Sequence, residues 1–231
     1  MPEPALRPVA LPFSDKYDRQ HARAYLAKHH DGVARRLSHW RDEQLARKAL
    51  TLAGDPTLVL DLPCGAGRFW PLLAEQSNRV IIAADNSPDM LEVACAAHPR
   101  ELLARVRTVQ TSAFDIALPT RAVDCVFCMR LLHHIGEAEH RLAMLREFHR
   151  VTRDTVIVSL WVDGNFKAWK RARLERDRTR GARRAIQNRF VVPARTVEAE
   201  FRASGFEILG HYDFLPRYAM WRVYALRRSQ A

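Results

Sequence analysis

The segment VLDLPCGAGRF, from Val59 to Phe69, has the residue types of a loop that binds a nucleoside. An apolar run ends at Asp61, and a turn that contains Gly65 and Gly67 follows it. Glycines let the backbone approach a ligand closely, and an acid at the end of a strand accepts hydrogen bonds from that ligand. The segment lacks the third glycine of a dinucleotide site and the Gly-Lys-Ser/Thr of a triphosphate loop. It therefore predicts a nucleoside cofactor of another kind.

A second acid of this candidate site is Asp85, which ends the next apolar run, RVIIAAD. An acid in this place accepts hydrogen bonds from both hydroxyls of a ribose. Ser87 and Pro88 then predict the start of a helix, with Ser87 as the N-cap and Pro88 at the first helical position. The two acids are thus expected at the ends of two strands.

The elements that must position these residues follow from the alternation of apolar and amphipathic runs. Such alternation implies an α/β fold in which helices cover both faces of a parallel sheet. Two helices are also expected within residues 14–50, with a break near Asp31-Gly32, and an antiparallel hairpin is expected at the end of the chain. Strands are predicted at Thr57–Leu62, Arg79–Asp85, Val106–Gln110, Ala122–Met129, Thr155–Trp161, Phe206–Phe214 and Tyr218–Arg227, and helices at Arg68–Gln76, Ser87–Ala97, Glu137–Val151 and Thr196–Ser204.

Together these segments resemble the class I S-adenosylmethionine-dependent methyltransferases, in particular the small-molecule or quinone-type subgroup. The loop at Asp61 is similar to the family pattern D-x-x-x-G-x-G, and DCVFCMRLLHHI, from Asp124 to Ile135, is similar to D-x-V-x-x-x-x-x-L-H-H-L. The resemblance implies a Rossmann-like, seven-stranded, mostly parallel sheet with a C-terminal antiparallel hairpin. It also implies S-adenosyl-L-methionine as the cofactor and S-adenosyl-L-homocysteine as its product.

The resemblance assigns the cofactor site residue by residue. Met90 would lie against the adenine ring, with a place in the helix core as the alternative. The chain departs from many relatives at Pro63, where they carry glycine, at Ser112, where they carry an acid, and at Met129, where they carry a polar residue. The residues expected to bind the cofactor are Asp61, Pro63, Cys64, Gly65, Gly67, Asp85, Asn86, Met90, Ser112, Ala113 and Met129.

Candidate residues for the acceptor side are few. Methyl transfer from a sulfonium needs mainly alignment, and it needs a base only for a hydroxyl or carbon acceptor. His133 and His134 are the candidate catalytic residues, and a role in capping the loop is the alternative. Arg130 would either bind an anionic acceptor or pair with an acid, and Tyr17, together with His21, would either cover the cofactor as a lid or pack as part of a helix.

A basic segment is the second informative feature. The net charge is +11, and Phe166–Arg189 alone holds ten Lys or Arg residues against two acids. The resemblance places it in a basic insertion at residues 164–192, where Trp169 and Arg173 are predicted to bind substrate. The segment is either a solvated face or a site for RNA, an anionic membrane or lipid-linked glycan, or an acidic protein.

The sequence thus predicts lid helices in residues 1–50 and a methyltransferase domain in residues 51–231. The expected acceptor is small, lipid-linked or glycan-linked, and anionic. An RNA methyltransferase and a regulatory protein that senses the cofactor are the alternatives, and the lack of an Asn/Asp-Pro-Pro-Tyr/Phe motif counts against base amines and glutamine amides. The four cysteines lack zinc spacing, so no metal is expected. No apolar run reaches about 20 residues, so a cytoplasmic protein is expected, with peripheral attachment to the inner membrane surface left open.

Overall fold

The fold is a seven-stranded mixed sheet, in a computed structural model that describes residues 32–178 and 189–229. The strand order is β3-β2-β1-β4-β5-β7-β6, with β7 antiparallel to both of its neighbours. This arrangement confirms the predicted Rossmann-like sheet and its C-terminal hairpin. The strands are β1 (Leu58–Asp61), β2 (Val80–Asp85), β3 (Val106–Gln110), β4 (Val123–Cys128), β5 (Thr152–Trp161), β6 (Phe206–Asp213) and β7 (Trp221–Arg228).

Helices cover both faces of the sheet, and the buried side chains divide into two apolar layers. Alternate residues of β1 enter different layers, Val59 with Ile81 and Leu60 with Val126, as the two-residue period of a strand requires. The helices are α1 (Val33–Leu52), α2 (Trp70–Leu73), α3 (Pro88–Ala97), α4 (Arg100–Leu103), α5 (Ala138–Val151), α6 (Phe166–Arg178) and α7 (Ala194–Ala203), with a 3-10 turn at Leu132–His134.

The strand order changes direction between β1 and β4. β1 pairs in parallel with β2 on one side and with β4 on the other, so the chain runs from β1 outward through β2 to β3 and then returns to the opposite side of β1 as β4. In open α/β sheets the crevice for a ligand forms at the carboxyl ends of the strands at such a point. The loops after β1, β2 and β4 carry most of the predicted site, and this topology gathers them at one edge.

The helix after the glycine loop is shorter than the sequence predicts. It spans Trp70–Leu73 rather than Arg68–Gln76. Arginine side chains satisfy the carbonyls that further helical turns would have used. Arg79 donates to the Leu73 carbonyl at 3.1 Å, and Arg105 donates to the carbonyls of Ala74 and Gln76, each at 2.7 Å. The chain can therefore leave the helix after one turn without a buried, unpaired carbonyl.

Helix α1 covers the antiparallel end of the sheet, where β6 and β7 lie. It begins directly after Gly32, which has a φ of 89°; the sequence predicts a helix start near this residue. It packs against β6 and β7, and Arg41 donates to the Phe214 carbonyl at 2.9 Å. The predicted boundary at residue 50 falls inside α1 and stays a prediction. The first predicted helix, with Tyr17 and His21, lies outside the described residues.

Helix α6 is fixed to the turn between β6 and β7. The amide groups of Phe166 and Lys167 donate to the carbonyls of Arg217 and Tyr218, at 2.9 and 3.0 Å. Residues 179–188 of the predicted insertion lie outside the described part of the chain. Among residues 32–178 and 189–229, no helix is long and apolar enough to cross a membrane.

Candidate functional site

Asp85 holds the glycine loop in place. One carboxylate oxygen, Oδ2, accepts from the Gly65 amide at 2.9 Å, and Oδ1 accepts from the Ser87 amide at 2.9 Å. Cys64 also donates its amide to the Ala84 carbonyl at 2.8 Å, so the loop runs along the end of β2. Burial raises the pKa of Asp85, and the backbone hydrogen bonds oppose that rise. Each oxygen keeps a lone pair, which is what two ribose hydroxyls require.

Asp61 is buried beside this loop and lacks a complete set of partners. Only 1% of its surface is exposed, and Oδ2 has no hydrogen-bond partner among the described residues. Burial raises the pKa of Asp61 well above its usual range, and the nearby charge of Asp85 adds to the rise. A buried carboxylate without a partner is costly, and a bound cation or N–H donor removes that cost. An ammonium group at this point fits the carboxylate.

The glycine loop itself leaves little room on its packed side. Gly67 has a φ of 71°, and a Cβ there would come within 2.7 Å of both the Trp70 ring and His98 Nε2. Gly65 also has a positive φ, of 53°, and the Leu62–Pro63 peptide bond is cis. The sequence therefore needs glycine here for the backbone conformation and, at Gly67, for the close approach of Trp70 as well.

The remaining predicted cofactor residues lie around the same strand ends. Met90 is buried on α3, where its amide donates to Ser87 Oγ at 3.3 Å, so Ser87 is the predicted N-cap. Asn86 is exposed directly after β2. Ser112 Oγ accepts from the Phe114 amide at 3.2 Å, while Ala113 and Met129 are buried. The contacts of these residues with adenine and with the methyl group stay predictions.

His133 is enclosed by aromatic rings, whereas His134 is half-buried. The His133 ring stacks on Trp161 at 5.1 Å and meets Trp221 edge-on at 4.9 Å, and its Nδ1 has no hydrogen-bond partner among the described residues. Burial, reinforced by His134 and nearby arginines, lowers the pKa of His133 to about 2. His133 is therefore neutral at physiological pH, and it is a weak proton acceptor.

The comparisons with known proteins agree with this geometry. Residues 59–155 match the family model described as "Methyltransferase domain", a range that contains the glycine loop, both buried acids and both histidines. Residues 59–155 therefore carry a methyltransferase domain. The binding of an ammonium group at Asp61 and of a ribose at Asp85 stays a prediction.

Two curated proteins are similar in sequence to part of this chain. An uncharacterized methyltransferase-like protein of Schizosaccharomyces pombe is 29% identical over 102 residues, which are 44% of this chain and 36% of that protein. The tRNA (carboxymethyluridine(34)-5-O)-methyltransferase ALKBH8 of Macaca fascicularis is 24% identical over 151 residues, 63% of this chain and 21% of its own length. The chain thus spans about a third or less of the curated relatives it matches.

The structural likeness covers nearly the whole chain. The magnesium protoporphyrin IX methyltransferase ChlM of Synechocystis, solved with bound SAH, has a TM-score of 0.71 and 16% sequence identity. The match covers 93% of this chain and 97% of that one. At this identity the likeness shows the common fold.

Arg130 belongs to a charge cluster of three residues around the buried Asp42, which the sequence does not reveal. Asp42 of α1 is fully buried, and its Oδ2 accepts from Arg68 at 2.7 Å and from Arg130. The structure shows an ion pair of Arg130 with a buried rather than a surface acid, and the binding of an anionic acceptor by Arg130 stays a prediction. The cluster joins α1 to the loops after β1 and β4.

Two tryptophans lie against His133 at this edge of the sheet. Trp161 ends β5 and Trp221 begins β7, and the two residues pair across the antiparallel strands. Guanidinium groups lie over both rings: Arg130 at 5.0 Å from the centre of Trp221, and Arg171 at 5.2 Å from the centre of Trp161. A strand-end position at the same edge as the glycine loop is the sequence signal that could have found Trp161. For Asp42 and Trp221 the sequence carries no such signal.

The two predicted substrate residues of the basic segment lie on the surface of α6. Trp169 is 54% exposed, and the Arg173 guanidinium lies 5.8 Å from the centre of its ring. Trp169 also lines an open groove of about 840 Å³, which Phe166, Phe190, Arg171 and Arg217 border. Within the described part of the chain, no cluster of His, Cys, Asp or Glu could hold a metal ion.

Proposed function

We propose that this chain transfers a methyl group from S-adenosylmethionine to a small acceptor that carries negative charge, either free or linked to a lipid or glycan. The observation that carries the proposal is the Arg130 guanidinium beside the strand ends. Its side chain is 34% exposed, it lies over the Trp221 ring, and its Nε has no hydrogen-bond partner among the described residues. A carboxylate or phosphate on the acceptor would accept hydrogen bonds from this guanidinium group.

The chemistry asks this protein mainly for alignment. The cofactor supplies an electrophilic methyl group on a sulfonium, which is already activated. The acceptor's lone pair forms the new bond to the methyl carbon while the C–S bond breaks, and that electron pair stays on sulfur. Asp61 and Asp85 would fix the two ends of the donor, and the aromatic wall of Trp161, Trp221 and His133 would keep water from the acceptor side.

Proton removal, where the acceptor needs it, falls to His134 rather than to His133. The neighbouring imidazole is held neutral in its aromatic enclosure, with a pKa of about 2. His134 is half-buried at the end of the 3-10 turn. A hydroxyl acceptor would place its proton near this imidazole, whereas an amine acceptor would need no base.

The test of the acceptor class uses radiolabelled methyl donor and matched acceptor pairs. Each pair consists of one small amine or hydroxyl compound with a carboxylate or phosphate and its neutral ester or amide. We expect transfer to the anionic member of a pair, and a KM for that member that rises about tenfold or more in Arg130→Gln. Arg107→Gln, on the far edge strand β3, is the control. Equal rates for charged and neutral members would overturn the assignment of an anionic acceptor.

A second candidate function, methylation of RNA, has its own support. The relative from Macaca fascicularis acts, by its name, on a tRNA uridine, and it matches 63% of this chain. Transfer of labelled methyl groups to purified tRNA, with loss of label after ribonuclease treatment, would favour this function. Incorporation into small anionic compounds alone would favour the first.

A further inference from the structure

The exposed face of α6 and the adjoining β6–β7 turn form an aromatic ledge of three rings, Phe166, Trp169 and Tyr218. Their exposed fractions are 49%, 54% and 47%, which is unusual for three neighbouring aromatic residues. Phe166 stacks on Tyr218 at 5.8 Å with an interplanar angle of 12°, and it lies 5.9 Å from Trp169. The ledge therefore presents a row of ring faces to solvent rather than a single exposed side chain.

Positive charges are interleaved with the rings of the ledge. The Lys167 ammonium lies 5.2 Å from the centre of Tyr218, and the Arg173 guanidinium lies 5.8 Å from the centre of Trp169. Lys170 and Arg217 are exposed beside them. The acids nearby are already engaged: Asp163 accepts from the Ala194 amide at 2.9 Å, and Glu175 pairs with Arg171 at 2.8 Å. The ledge thus combines stacking faces with an excess of positive charge.

The backbone beneath the ledge is held by several hydrogen bonds. Besides the two bonds from α6 to the turn, Asn165 caps the helix by accepting from the Ala168 amide at 2.9 Å. Its side chain donates in turn to the Val162 carbonyl at 2.7 Å. The rings therefore keep their spacing before any partner binds, which lowers the entropy cost of binding.

We propose that this ledge binds single-stranded RNA. Unpaired bases stack on exposed aromatic faces, and phosphates between them need positive charges at intervals, which is the combination found here. A base that stacks on Trp169 or Tyr218 would displace the Arg173 or Lys167 side chain from the ring, and the released cation would meet the adjacent phosphate. The binding does not depend on the methyl transfer proposed above, and it is measurable without cofactor or acceptor.

An anionic membrane is the competing partner, and the arrangement of charge argues against it. A helix that lies on a membrane separates its apolar face from its basic face. On α6 the cations lie over the rings themselves, so the apolar surface could not enter a lipid layer without burying them.

The test is the binding of a fluorescent, unstructured uridine-rich RNA of about 12 nucleotides to the full chain, followed by anisotropy. Trp169→Ala is expected to weaken binding about tenfold, the loss of one stacking position. Trp40→Ala is the matched control, because Trp40 is 53% exposed on another helix. Circular dichroism verifies that both variants are folded. For four phosphate contacts the logarithm of the affinity should fall against the logarithm of salt with a slope of about −3.

Three further ligands make the outcome decisive. A hairpin duplex of the same length and a deoxyuridine-rich strand show whether unpaired bases and ribose matter, and vesicles with one-third phosphatidylserine test the membrane. Weak binding to the duplex and the vesicles supports the proposal. Equal affinity for duplex and single strand, stronger binding to vesicles than to RNA, or unchanged RNA affinity in Trp169→Ala would overturn it. Loss of methyl transfer alone, with RNA binding intact, would bear only on the proposed function.

Discussion

At the scale of single residues, the buried carboxyl of Asp61 lowers the stability of the protein without ligand and favours the binding of a cation. Asp61 is almost fully buried with one oxygen unpartnered, and burial raises its pKa well above the usual range. A carboxyl whose pKa is higher in the folded than in the unfolded state costs stability as the pH rises from the unfolded value of about 3.9 through the folded value. Without a ligand, the ionised Asp61 therefore lowers the free energy of unfolding, and a bound cation would remove that loss.

The first prediction concerns Asp61→Asn. We expect the ligand-free variant to be more stable than the parent by about 1–2 kcal/mol near pH 8, because the unpaired charge is removed. The difference in stability should shrink below about pH 4, where Asp61 is protonated in both the folded and the unfolded parent protein. Thermal unfolding across this pH range measures the difference. Asp154→Asn, an exposed carboxylate, is the control and should change stability by less than about 0.5 kcal/mol. A less stable Asp61→Asn at pH 8 would contradict the account.

His133 shows how an aromatic enclosure removes a histidine from acid–base chemistry. With a pKa lowered to about 2 by burial, the folded protein keeps the ring neutral, while the unfolded chain takes up a proton near pH 6.5. The contribution of His133 to stability is thus fully present above pH 6.5 and is lost progressively as the pH falls below it.

The second prediction is that the His133 ring resists protonation in the folded state. A nitrogen-15 NMR titration of the imidazoles should show the His133 signals unchanged from pH 7.5 down to pH 5. The signal is assigned with His133→Gln. A His133 titration midpoint between pH 5 and 7 would show that the ring is not enclosed as described, and it would return His133 to the candidates for a general base.

At the scale of elements, the charge cluster of Asp42, Arg68 and Arg130 joins α1 to the loops after β1 and β4. Asp42 lies 26 residues from Arg68 and 88 residues from Arg130 along the chain, so folding alone brings them together. Asp42 is fully buried and both arginines donate to the same carboxylate oxygen, so removal of that carboxylate takes the shared counterion from both guanidinium groups.

The third prediction follows from this dependence. Asp42→Asn should destabilise the protein by about 3 kcal/mol, since it removes the carboxylate to which both Arg68 and Arg130 donate. Glu75→Gln is the control: Glu75 is 49% exposed and pairs with Arg47, and its loss should cost less than about 1 kcal/mol. Denaturant unfolding measures both variants. Similar losses for the two would indicate that the cluster does not anchor α1.

The elements also show what the sequence could and could not predict. The central strands follow from apolar runs, because a strand buried on both faces has no polar positions to obscure its signal. The one-turn helix α2 was predicted too long, because its end depends on the distant side chains of Arg79 and Arg105. The four-residue helix α4 was not predicted at all, since a single turn carries no periodic signal.

The site was predictable to a similar extent. Asp61, Gly65 and Asp85 meet because each ends or follows a parallel strand, a relation that the chain order reveals. Asp42 could not be found, because its burial depends on how α1 packs on β6 and β7. Trp221 could not be assigned to the site either, because its place depends on the antiparallel direction of β7 beside β5.

At the scale of the whole molecule, the carboxyl-end edge of the sheet carries the proposed cofactor site and leads to the proposed RNA-binding ledge. The carboxyl ends of β1, β2 and β4 hold the glycine loop, the buried acids and the histidines. The end of β5 leads into α6, whose aromatic ledge is fixed to the β6–β7 turn. A donor held on one side and a partner held on the other would meet near Trp161 and Trp221, between the two.

The fourth prediction tests the central claim, that Asp85 and the glycine loop bind the methyl donor. Isothermal titration calorimetry with S-adenosylhomocysteine should show one binding site in the parent protein. Asp85→Asn should weaken that binding about 10-fold to 100-fold, because it loses hydrogen bonds from the ribose to a charged acceptor. Asp154→Asn should bind as the parent does. No binding to the folded parent at millimolar ligand, or unchanged affinity in a folded Asp85→Asn, would contradict the account.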